Sequence, residues 1–119
     1  MKTLLVSVLM ALVPLGGAGA GEKLACNLKA LNATERARYQ ELTKALMTAT
    51  QEKRELPNGY GFRLSPSSLV TAAEWISLER KCCPFFTFDL EQARDEGPVW
   101  LRVTGPEGVK AFIRAEFQL

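Results

Sequence analysis

The apolar residues of the chain change their spacing several times, and each change marks a predicted element. In segment 31–55 (LNATERARYQELTKALMTATQEKRE), apolar side chains recur at intervals of three and four residues, at Tyr39, Leu42, Leu46 and Ala49. This period predicts one amphipathic helix. Asn32 followed by Glu35 fits a capping box at its first turn.

Two further helices are expected later in the chain. Segment 67–82 (SSLVTAAEWISLERKC) follows Ser65-Pro66, a capping residue and a proline suited to a first helical turn. Its buried stripe is expected to run through Leu69, Ala72, Ala73, Ile76 and Glu79 or Arg80, with Trp75 and Leu78 beside it. The last helix opens at Pro106, with one face formed by Val109, Phe112, Ile113, Glu116 and Phe117.

Three segments alternate between apolar and polar residues and predict strands: 60–64 (YGFRL), 85–92 (FFTFDLEQ) and 98–105 (PVWLRVTG). The LPNG sequence at 56–59 predicts a tight turn in which Asn-Gly takes positive φ. The polar segment 93–97 joins the last two strands as a hairpin. The order α-β-α-β-β-α predicts a small α+β domain with a three-stranded mixed sheet packed against helices, its first two strands being parallel.

Residues 1–20 (MKTLLVSVLMALVPLGGAGA) have the layout of a signal peptide. Lys2 precedes an uncharged apolar stretch, and small residues follow up to Ala20. The apolar stretch has about a dozen residues, fewer than the roughly 20 needed to cross a bilayer. We therefore expect residues 21–119 to form one domain that is exported to the periplasm or the medium, with no membrane span after cleavage.

Composition and charge exclude several functions. The chain has 15 Lys and Arg residues against 13 Asp and Glu, and they are mixed along its length. No basic stripe results, so nucleic-acid binding is not expected. The chain also has no histidine, which removes hydrolases with an imidazole base and most zinc sites that mix His and Cys.

The most distinctive stretch is ERKCCPFFTFDL, residues 79–90, in which Cys82 and Cys83 stand directly before Pro84. Because proline disfavours the helical conformation in the residue before it, Cys83 should be extended while Cys82 ends the helix. The two thiols are therefore expected to point in different directions. With Cys26 the chain has three cysteines, and an odd number in an exported protein indicates a free thiol, an intermolecular bridge or a ligand set.

Four interpretations of the cysteines remain open at the level of the sequence. In the first, Cys82 and Cys83 are only buried packing residues. In the second, Cys26 forms a disulfide with Cys82 or Cys83, which would close a loop of about 57 residues and add roughly 3 to 4 kcal/mol of stability. A bridge between the adjacent cysteines is disfavoured because their Cα atoms lie only about 3.8 Å apart.

In the third interpretation, Cys26, Cys82 and Cys83 hold a soft metal ion such as mercury(II), copper(I) or trivalent arsenic, with Glu79 and Arg80 beside them. Arg80 and its neighbour Lys81 would favour the thiolate form, whereas Glu79 and the C-terminal end of a helix oppose it. The same opposition weakens the fourth interpretation, a catalytic thiol, because redox enzymes usually place that thiol at a helix N-terminus.

Four segments together resemble a family of small bacterial proteins with no established activity: 25–28 (ACNL), 54–64 (RELPNGYGFRL), 75–88 (WISLERKCCPFFTF) and 98–112 (PVWLRVTGPEGVKAF). The most specific element is the signature Glu-Arg-x-Cys-Cys-Pro-Phe. Similar Cys-Cys-Pro-Phe domains accompany heavy-metal response systems, so the resemblance implicates the three cysteines, with Glu79 and Arg80 beside them. The signal peptide departs from this resemblance and weighs against a role that needs reduced cytosolic thiols.

The sequence therefore predicts an exported, non-enzymatic α+β domain whose cysteines bind a soft metal ion. The alternative is a disulfide-tied or thiol-inert interaction domain, whose partner the sequence does not identify.

Overall fold

The computed structural model describes residues 24–119, so the expected signal peptide at 1–20 lies outside the described residues. This part of the chain folds into three α-helices and a four-stranded sheet, an α+β architecture. In chain order the elements are α1 (Ala33–Ala49), β1 (Thr50–Leu56), β2 (Gly59–Leu64), α2 (Leu69–Cys82), β3 (Thr87–Gln92), β4 (Val99–Thr104) and α3 (Val109–Phe117). Short 3-10 turns at Leu28–Ala30 and Pro66–Ser68 precede α1 and α2.

The sheet has the strand order β1-β2-β4-β3, and every neighbouring pair is antiparallel. The expected three-stranded mixed sheet is therefore wrong in strand number and in pairing. β2 and β3 do run in the same direction, as expected for strands joined by α2. They are not neighbours, because β4 returns from the β3–β4 hairpin and pairs with β2 as well.

Strand β1 occupies residues that the helical period assigned to the end of the first helix. The capping box of Asn32 and Glu35 is present at the start of α1, but the helix ends at Ala49. No apolar residue lies between Ala49 and Leu56, so a longer helix would have had no face to bury. As an edge strand paired only with β2, the same segment leaves its charged side chains in solvent.

Pro57 and Asn58 form a two-residue turn between β1 and β2, since Leu56 pairs with Gly59. The expected positive φ at Asn-Gly is wrong, because the positive φ values of the described chain belong to Asp95, Glu96, Gly108 and Gln118. Glycine is needed at position 59 because strand β4 passes too close for a side chain. A Cβ atom there would overlap the carbonyl oxygen of Val103 on β4 and lie 2.8 Å from the Cα of the next residue.

Helix α2 is held in the core by Trp75. Its ring meets Phe88 of β3 edge-on at a centroid distance of 5.7 Å and lies 6.0 Å from the ring of Phe117 on α3. Its Nε1 donates a hydrogen bond of 3.0 Å to Thr43 Oγ1 on α1. These contacts fix α2 against the sheet and both other helices, and so determine where its cysteine-bearing end lies.

Candidate metal and thiol site

The site lies at the C-terminal end of α2. Cys82 is the last helical residue, and Cys83 leaves the helix with φ −125° and ψ 70°, as the following Pro84 predicts. The Cys83 N–H still donates to the Glu79 carbonyl at 2.8 Å, and its own carbonyl accepts a hydrogen bond from Phe86 N at 3.2 Å. The backbone around both cysteines is therefore fixed by hydrogen bonds on each side.

Cys26 is brought to this end of α2 by the segment that precedes α1. Asn27 N donates a hydrogen bond of 2.7 Å to the Cys82 carbonyl, one of the carbonyls left free at the helix end. Leu31 anchors the same segment, because its side chain is buried in the core. The lead before α1 thus packs beside the cysteine pair, which its aperiodic sequence could not indicate.

Cys26 and Cys83 are joined by a disulfide, with their Cα atoms 4.6 Å apart and a sequence separation of 57. This separation lies within the usual range for such bridges. The second interpretation of the cysteines is therefore realised with Cys83 as the partner. Cys82 is the remaining free cysteine of the described residues, and its side chain is fully buried.

The free thiol lies against the disulfide. The Sγ atoms of Cys82 and Cys83 are 3.8 Å apart, so the expectation that the two side chains diverge is wrong. Cys82 Sγ also lies 3.5 Å from the Glu79 carbonyl, to which its proton can be donated. Burial raises the pKa of the Cys82 thiol to about 11, and the negative charge of Glu79 adds to the effect, so a nucleophilic role for Cys82 is disfavoured.

Glu79 is the unusual residue of the site, because its side chain is fully buried and charged residues are rarely so. Its Oε2 has no hydrogen-bond partner. Its Oε1 lies 3.9 Å from Cys26 Sγ, which in the disulfide carries no proton to donate. Burial raises the pKa of Glu79 to about 7, and the nearby hydroxyl of Tyr39 offsets part of that effect.

Tyr39 of α1 is a neighbour of Glu79 that the sequence did not reveal. Burial raises its pKa, and the charge of Glu79 raises it further. Tyr39 was expected only as part of the apolar stripe of α1. The helical period places Tyr39 on the buried face of α1, and a buried tyrosine hydroxyl usually has a hydrogen-bond partner. This combination could have indicated a polar group beside Tyr39.

The four side chains Cys26, Glu79, Cys82 and Cys83 form one cluster. Their ligand atoms, three sulfurs and a carboxylate oxygen, all lie within 4.8 Å of one another. Three of the four residues are buried. Such a group could hold a metal ion once the disulfide is reduced, because thiolates and carboxylates are both metal ligands.

The two basic residues of the signature do not point into this cluster. Arg80 is exposed, and its Nε donates to the Ser77 carbonyl at 3.2 Å. Lys81 forms an ion pair of 2.8 Å with Glu35 on α1. The expected help from Arg80 and Lys81 in forming a thiolate is therefore not realised, and burial and the charge of Glu79 raise the pKa of the Cys82 thiol.

No family model, no protein of curated function and no solved structure matches the chain. Within residues 24–119, no helix combines the length and the apolar character that a bilayer crossing requires. Function is therefore inferred from the geometry of the site.

Proposed function

We propose that the chain is an exported, non-enzymatic domain that binds a soft metal ion through the thiolates of Cys26, Cys82 and Cys83. The ions considered are mercury(II), copper(I) and trivalent arsenic, which prefer sulfur ligands. Binding requires the reduced protein, because the disulfide occupies two of the three sulfurs.

The observation that carries this proposal is the convergence of three sulfurs on a buried, unpartnered carboxyl group. A disulfide alone needs two cysteines, yet the third sulfur lies 3.8 Å from the bridge. Glu79 Oε2 lacks a partner in a place where an isolated polar atom is costly. A metal ion would use the third sulfur and would give the carboxyl group a bound neighbour.

The test measures ion binding by reduced and oxidised protein. The protein is reduced with a phosphine, which leaves no competing thiol, and is titrated with mercury(II) or copper(I) against a competing chelator. We expect one ion per reduced chain by native mass spectrometry and none on the oxidised chain. A loss of the ion on denaturation, with three cysteines then open to alkylation, would confirm ligation by the folded site.

The decisive variant is Cys82→Ser, because Cys82 is not part of the disulfide. It should weaken ion binding at least ten-fold while the oxidised protein keeps its Cys26–Cys83 bridge. Val70→Ser, at an exposed position of α2, serves as the control. Equal affinity of Cys82→Ser and the control would contradict a three-thiolate site.

The disulfide itself favours a second candidate function, a stapled interaction domain. In that case the Cys26–Cys83 bridge only ties the lead segment to α2, and Cys82 is packing. Reduced protein would then bind no soft ion with more than the affinity of an unfolded thiol peptide. Cys26→Ser distinguishes the two functions, since it should abolish metal binding under the first and only lower stability under the second.

A further inference from the structure

We infer that the ion best suited to this site is a trivalent arsenic or antimony centre, held by three thiolates as a neutral complex. This inference rests on the proposed function and names the class of ion within it. It follows from the number of sulfurs, from the charges around them and from the exchange of hydroxyl groups for thiols at arsenous acid.

The number of close sulfurs matches a three-coordinate centre. Cys82 and Cys83 are fully buried, and Cys26 closes the cluster from the lead segment. The cluster has no fourth sulfur, the chain has no histidine, and the one further ligand atom is a carboxylate oxygen of Glu79. Trivalent arsenic and antimony form three bonds to sulfur and need no fourth ligand.

The charges around the sulfurs favour an ion that neutralises all three thiolates. Within the described residues, the nearest basic side chains in sequence, Arg80 and Lys81, turn to the surface. The site also lies at a helix C-terminus, which carries partial negative charge. Buried net charge without a counter-ion is costly.

Formal charge then ranks the candidate ions. Three thiolates leave two negative charges on copper(I) and one on mercury(II), but none on a trivalent centre. Glu79 contributes no positive charge in either protonation state, so it never reverses this order. Mercury(II) is already neutral with two thiolates, so the loss of one cysteine should weaken its binding less than that of arsenite, about ten-fold against about a hundred-fold.

The binding step balances without a further reactant once the disulfide has been reduced by an external phosphine or dithiol. Arsenous acid, As(OH)3, exchanges its three As–O bonds for three As–S bonds. Each thiol proton leaves with a hydroxyl group as water, and arsenic keeps its oxidation state. The unpartnered Oε2 of Glu79 offers a hydrogen-bonding group to the incoming hydroxyls.

The experiment titrates phosphine-reduced protein with arsenite and counts the cysteines consumed. We expect one arsenic per chain, a mass gain of one arsenic less three hydrogens, and no cysteine left for alkylation in the native complex. Each single variant Cys26→Ser, Cys82→Ser and Cys83→Ser should lose at least a hundred-fold in arsenite affinity. Phenylarsine oxide, which takes only two thiols, should still bind the variants and so report that their remaining sulfurs are intact and accessible.

Three outcomes would overturn the inference in different ways. Binding of mercury(II) or copper(I) without binding of arsenite would refute it and leave the proposed function standing. Arsenite held with one cysteine still open to alkylation would refute the three-thiolate centre. Absence of binding by every soft ion, in protein whose circular dichroism shows an intact fold after reduction, would refute both.

Discussion

At the scale of single residues, Glu79 is the least expected feature, because the helical period allows it on the buried face although burying a carboxylate is costly. The helical period left Glu79 and Arg80 as equal candidates for the buried stripe of α2, and the structure buries the acid. Its carboxyl group has an unpartnered oxygen, and the adjacent Arg80 and Lys81 are directed to the surface. The folded protein therefore favours its neutral form.

Stability should fall with rising pH because of this one residue. The pKa of Glu79 is raised from 4.5 to about 7, so its contribution is complete below pH 4.5 and is lost as the pH rises through about 7. Linkage converts this shift to a decrease of about 3 kcal/mol in the free energy of unfolding. Glu79→Gln should remove that decrease, as measured by urea unfolding at several pH values.

The comparison with Glu79→Gln is needed because other carboxylates act in the opposite direction. Hydrogen-bonded ion pairs with Lys81 and Arg38 lower the pKa values of Glu35 and Glu74. The stability that these two carboxylates contribute to the protein is lost as the pH falls and they become protonated. Both proteins share them, so the difference between the two curves isolates Glu79. Parallel curves would show that the pKa of Glu79 is the same in the folded and the unfolded protein.

The sequence located the adjacent cysteines in the secondary structure better than it located them in space. Cys82 and Cys83 were placed correctly at the end of α2 because proline restricts the residue before it. The approach of Cys26 was one of several open interpretations and could not be decided, since the lead before α1 has no periodicity and is positioned by the backbone hydrogen bond from Asn27. The position of Tyr39 beside Glu79 could not be predicted either, because the periods of α1 and α2 do not fix how the two helices pack against each other.

At the scale of elements, strong periodicity decided what could be predicted. The three helices and the β3–β4 hairpin were expected and are present, because each buries a regular apolar face. β1 was missed because an edge strand can expose both faces, and its charged residues carry no alternation. Without β1, the pairing of β2 with β4 in the centre of the sheet was not evident.

Because β2 lies close to β4, substitutions at the two glycines of β2 should differ in their effect on stability. Gly59→Ala should destabilise the protein by about 2 kcal/mol or more, because its Cβ would overlap the Val103 backbone. Gly61→Ala is the matched control, since its Cβ would meet the Trp100 ring at an ordinary 3.5 Å. It should be neutral or slightly stabilising, because glycine weakens a strand.

Chemical denaturation of the two variants measures this difference. Equal stability of Gly59→Ala and Gly61→Ala would mean that β2 can move away from β4 at little cost. The pairing of Gly59 with Thr104 would then be a weak end of the ladder.

At the scale of the whole molecule, the disulfide divides the chain into a closed and an open part. The loop between Cys26 and Cys83 contains α1, β1, β2 and α2, whereas β3, β4 and α3 follow it. The core nevertheless joins both parts, since Trp75 inside the loop packs on Phe88 and Phe117 outside it. Closing the loop should therefore stabilise the entire fold as one cooperative unit.

Reduction of the bridge should lower the free energy of unfolding by about 4 kcal/mol, because the unfolded chain regains the entropy of an open loop of 57 residues. Cys26→Ser should show a similar loss without reductant. Cys82→Ala, which keeps the bridge, should lose only about 1 kcal/mol from the small cavity that it leaves. Guanidinium unfolding with and without phosphine measures all three. If reduction cost no more than the Cys82→Ala cavity, the bridge would not be a staple, and the three cysteines would be kept together by their packing alone.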